Sequence, residues 1–137
     1  MRYTLLSNRQ NEVILLARVL LMALFLIFGW SKLTNFSGTV AYMAKVGAPV
    51  PMLSAIVAIV MEFFVGIALV LGVYTRPLAL LFALYALGTG FIGHHYWTMT
   101  GAEQYANMIN FYKNVSIVGG LLLLCAIGPG KYSIDRK

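Results

Sequence analysis

Apolar residues along the chain gather into four long runs, at about residues 13–31, 52–73, 77–97 and 108–127, separated by short polar or turn-forming stretches. Each run has the length of one membrane-spanning helix, about 20 residues at roughly 1.5 Å rise per residue. An irregular backbone in lipid would leave its polar groups unpaired, and the shorter alternating segments of a barrel are absent. The pattern therefore predicts an all-α fold, an integral membrane four-helix bundle. Between the first two runs, Phe36, Val40, Met43 and Ala44 recur at helical spacing and predict a short interfacial helix. Gly47-Ala48-Pro49-Val50-Pro51, Thr75-Arg76-Pro77 and Gly128-Pro129-Gly130 punctuate the connections. Residues 1–137 read as a single four-span domain. The first run closes on Gly29-Trp30-Ser31-Lys32 without a small-residue cleavage site, so it reads as a retained span, not a signal peptide.

Within the runs a second period carries the polar positions. Arg18, Met22, Phe25, Gly29 and Lys32 draw one stripe along the first helix. Ala58, Glu62 and Gly66 share a face of the second, where small residues beside a carboxylate mark a helix contact. Ala86, Gly90 and His94 follow each other in the third span, with His95 adjacent. Asn110, Lys113, Asn114, Ile117 and Gly120 run along the fourth. Glu62 is the one ionisable side chain in residues 52–73, and it lies about 15 Å deep. A carboxylate there costs about 2.5 to 3.5 kcal/mol, so it needs a partner. The spacing predicts a network of Glu62, Lys113 and Asn114, with Arg18 on one side and the histidines on the other. Arg18 reads equally as an interface anchor, and Lys32 reads as an anchor.

Composition narrows the class. The chain is 61% hydrophobic and 10% charged, against about 25% charged in soluble domains. Its net charge of +6 lies beside the apolar runs and not in a polar patch, which excludes a nucleic-acid binder and fits topology signals. With four spans, Arg2, Arg9, Arg76, Lys131, Arg136 and Lys137 share the side of both termini, opposite Lys32, Lys45 and Glu103; both termini are predicted to be cytoplasmic. The single cysteine, Cys125, makes no intramolecular disulfide, CxxC redox pair or metal cluster. Adjacent histidines on a helix point about 100° apart, so His94 and His95 make no metal site; either suits a quinone carbonyl or a proton relay. The sequence holds no nucleotide loop, flavin fingerprint or nucleophilic triad, and identifies no catalytic residue.

The segments ARVLLMALFLIFGWSKL, MEFFVGIALVLGVYTRP, HHYW, INFYKNVSIVGGLLLL and GPGKYSID together make the chain resemble the DoxX family of small four-helix bacterial inner-membrane proteins, over residues 17–135. The resemblance implies a quinone-linked redox or oxidative-stress system of the inner membrane. With no electron carrier visible in the chain, it implies an accessory component with quinone as ligand, the lipid bilayer as surroundings and a membrane or soluble redox protein as partner. Phe25, Phe63, Phe91 and Phe111 would pack against the ring or tail. Two other readings fit the residues: a scaffold or anchor without chemistry, and a homo-oligomeric carrier for a small solute or proton.

Overall fold

The computed structural model describes residues 5–136, and among them it contains helices and no strand. After a 3-10 turn at Ser7–Arg9 come α1 (Gln10–Thr34), α2 (Phe36–Lys45), α3 (Pro51–Ile59), a single π turn (Val60–Val65), α4 (Gly66–Leu71), α5 (Thr75–Gly93) and α6 (Gly101–Ile127). The segment α3–π–α4 is continuous, so four helices are long and apolar enough to cross a membrane. The short helix α2 joins the first two. Phe36, Val40 and Met43 on it are half-buried, whereas Ala44 is exposed and Thr39 takes the buried place.

The stripe on α1 faces the bundle, with Arg18, Met22, Phe25 and Gly29 all buried. Met22 and Phe25 pack with Leu69, Phe82, Ala86 and Leu121 into the core, where the Phe25 and Phe82 rings meet edge to face at 4.6 Å. Leu20, Ile27, Leu84 and Leu123, on the other faces, are each at least 61% exposed, as a lipid-facing belt requires. Gly29 permits the closest crossing: a Cβ there would stand 2.8 Å from the backbone nitrogen of Phe63. Gly29→Ala therefore forces α1 off the π turn, and we expect it to cost about 2 kcal/mol in detergent unfolding. Unchanged stability would show that the two backbones are not in contact.

The two ends of the bundle differ. At the proximal end, where the described chain starts and finishes, residues after α6 fold back as a clasp. Arg18, 1% exposed, donates to the carbonyls of Leu69 (3.4 Å), Val70 (2.8 Å) and Tyr132. The Asp135 carboxylate accepts from the backbone N–H groups of Tyr74 (3.0 Å) and Thr75 (2.8 Å) and so caps α5, while its own N–H bonds the Gly72 carbonyl at 2.9 Å. Gly72 has φ +75°, and a Cβ on it would meet Ser133 at 2.3 Å. At the distal end the helices spread: among the described residues, neither α2 nor α3 makes a close backbone approach to α5 or α6.

The third apolar run was expected to stay helical through His94 and His95. Instead α5 stops at Gly93, and a 3-10 turn follows at Tyr96–Thr98. The His95 ring explains the stop, because its Nδ1 donates to the Ile92 carbonyl at 2.8 Å, an acceptor left over at the helix end.

Candidate functional site

The distal spread encloses a cavity of about 770 Å³. Its floor is Glu62, carried into the bundle by the π turn and 7% exposed. One carboxylate oxygen accepts from the Lys32 ammonium at 2.7 Å, and the other from the Tyr85 hydroxyl at 2.5 Å. The partner expected for Glu62 was Lys113; the structure gives Lys32. The Gly29 crossing decides this, since it brings the next turn of α1 level with the carboxylate, and Lys32 was thus misread as an interface anchor. Tyr85 escaped the sequence reading as well. The available signal was a tyrosine within an apolar span, whose hydroxyl requires a partner.

The cavity wall includes Lys113, Asn114, Asn110 and His94 together with Glu62. Asn114 ties α6 to α5, donating to the Ala86 carbonyl at 3.0 Å and to the Thr89 hydroxyl at 3.2 Å. His94 Nδ1 lies 2.9 Å from Asn107 Oδ1, whose amide nitrogen donates to the Glu103 carbonyl. The Asn107 oxygen is therefore the acceptor and His94 Nδ1 the donor, which leaves Nε2 as an acceptor in the neutral ring. Lys113, in contrast, forms no ion pair or hydrogen bond among the described residues.

Two of the expected site residues lie elsewhere. Arg18 belongs to the proximal clasp and makes no contact with Glu62. His95 lines a separate hollow with Lys45, Thr98 and Glu103. Of the four phenylalanines expected around a ligand, Phe25 lines the cavity. Phe63 packs on Trp30, and Phe91 on Phe111 and Trp97, because their faces of the helices turn away from it. No group of three potential metal ligands exists among the described residues.

The rest of the wall is largely apolar, including Leu24, Phe28, Leu53 and Val57. Tyr42 on α2 closes over it, its hydroxyl 3.7 Å from where a Cβ on Gly93 would stand. Partial burial, and then the charge of Glu62, push the Tyr42 phenol pKa up. The arrangement is an apolar chamber with a neutralised ion pair at its base and a second cation on its wall. It can hold an amphiphile whose polar head lies near the middle of the membrane.

Comparison with known proteins places this architecture. The DoxX family model matches residues 13–95. The chain is 53% identical to the inner membrane protein YphA of Escherichia coli strain K12, over 100% of its own length and 98% of that protein. It is 42% identical to the inner membrane protein YqjF of the same strain, covering 96% and 95% of the two chains. A shorter likeness, 34% over 70 residues, reaches 23% of the Surfeit locus protein 4 homolog of Schizosaccharomyces pombe. No solved structure matches the chain significantly.

Proposed function

The chain belongs to the DoxX family, and from that premise we propose that it is an inner-membrane accessory protein that holds a quinone-class ligand for a membrane redox or oxidative-stress system. The observation that carries this reading is the 770 Å³ cavity at Glu62, a volume suited to one drug-sized molecule. The lining residues fit a quinone. Its carbonyl oxygens need donors, which Lys113, the Asn110 amide and the Tyr42 hydroxyl offer, and its ring and tail need apolar walls, which Leu24, Phe28 and Leu53 offer. The quinone would supply the redox chemistry. The chain's residues bind and orient the ring and exclude lipid, and a membrane or soluble redox partner exchanges the electrons.

The same reading sets the orientation. Arg9, Arg76, Lys131 and Arg136 all lie at or beyond the proximal helix ends, so the proximal end faces the cytoplasm and the cavity opens towards the outer half of the bilayer.

Gly88 gives the test. It lines the cavity, and a Cβ on it meets nothing within 4 Å. Gly88→Leu therefore puts its bulk into the chamber and adds helix propensity worth about 0.8 kcal/mol. Titrating a short-tailed benzoquinone into the purified protein in neutral detergent should give binding that Gly88→Leu abolishes, without lowering Tm. Equal binding by the variant would remove the cavity from consideration as the site.

A further inference from the structure

Lys113 is the charge in this chamber that no described residue answers. Lys32 and Glu62 neutralise each other at 2.7 Å, and Tyr85 donates to the same carboxylate. Tyr42, Ser54, Thr89, His94, Asn110 and Asn114 complete the polar wall and bring no negative charge. Among the described residues Lys113 has no ion pair. Its side chain stays exposed on the cavity wall. The apolar run of α6 begins at about residue 108, so Lys113 stands about 8 Å inside its distal end.

We infer that the cavity selects an amphiphile with an anionic head, held against the Lys113 ammonium above the Lys32–Glu62 pair. The inference rests on the proposed role of the cavity as a ligand site and specifies the ligand's charge. The unpaired cation on the wall of a largely apolar chamber carries it: a negative head answers that charge, and the apolar body occupies the walls around Leu24, Phe28 and Leu53. Two sources share that chemistry. One is a ring compound with an ionised hydroxyl, in keeping with the quinone class. The other is a lipid acid. A neutral ring gains only hydrogen bonds from Lys113 and is the weaker ligand.

The test uses three probes on the purified full chain in neutral detergent at pH 8: a short-tailed benzoquinone, its ring-hydroxylated analogue (ionised at that pH) and decanoate. The ionised analogue should bind at least about tenfold more tightly than the neutral quinone, as a charge-assisted contact gives. Lys113→Met should erase that preference, because the ionised analogue loses a charge-assisted contact where the neutral quinone loses one ordinary hydrogen bond. Lys113→Arg, which keeps the charge, should retain it and guards against a folding artefact. Equal affinities in the native chain, or a preference that survives Lys113→Met, overturn the anionic head and leave the quinone reading standing. Lys113-dependent binding of decanoate alone upholds the anionic head with a lipid source, and overturns the ring ligand. Binding of none of the three overturns both.

Discussion

Glu62→Gln lowers the stability of the bundle by about 3 kcal/mol, seen as a fall in Tm of roughly 10 °C in detergent. The glutamine still accepts from Tyr85, so the loss reports the charge. Lys32 keeps its ammonium beside the former carboxylate, 24% exposed within the fold, with no countercharge. Removing both partners is milder. Lys32→Met with Glu62→Met takes two charges out of the membrane together and should return to within about 1 kcal/mol of the native chain. The residue is the Tyr85 hydroxyl, which loses its acceptor, and adding Tyr85→Phe closes the difference. If the double variant is as unstable as Glu62→Gln, the pair is not what holds this crossing together.

Arg18→Met has an effect of comparable size at the other end. It strips the donor from the carbonyls of Leu69, Val70 and Tyr132. The first two close α4, where no further helical N–H is available to them. We expect a loss of about 3 kcal/mol or more, together with faster tryptic cleavage at Lys131 as the clasp comes away. Arg18→Lys should rescue little, because one ammonium cannot span three carbonyls as the planar guanidinium does. Native rates of cleavage in Arg18→Met would show that Asp135 and the backbone bonds hold the tail alone.

The periodic features could be read from the sequence. The stripe from Arg18 to Gly29 is set by helix geometry, and its members are buried as their spacing predicted. Glu62 stood out because an apolar span makes any carboxylate conspicuous. Its partner did not. Whether Lys32 or Lys113 arrives beside it depends on where two helices cross, and that follows from a backbone contact at Gly29 that spacing cannot locate. The end of α5 was overread for a related reason. Apolar residues continue past Gly93, and it is a side-chain hydrogen bond from His95 that ends the helix. The closing GPGKYSID marked a family; its role as a clasp emerges only where Asn11, Arg18, Gly72 and Thr75 meet it.

The clasp also fixes where this protein can respond to bilayer thickness. The second span is pinned at its proximal end, with the Leu71 and Gly72 carbonyls bonded to Ile134 and Asp135. It is pinned again at mid-depth by the Gly29 crossing and the Lys32–Glu62 pair. Tilt or stretch between those two points would break one of them. Mismatch with a thinner or thicker membrane is therefore absorbed beyond Glu62, in α3, α2 and the Pro49–Pro51 turn. Those elements form one side of the cavity, with Tyr42, Leu53 and Val57 on its wall, so lipid composition becomes a variable that sets the width of the chamber.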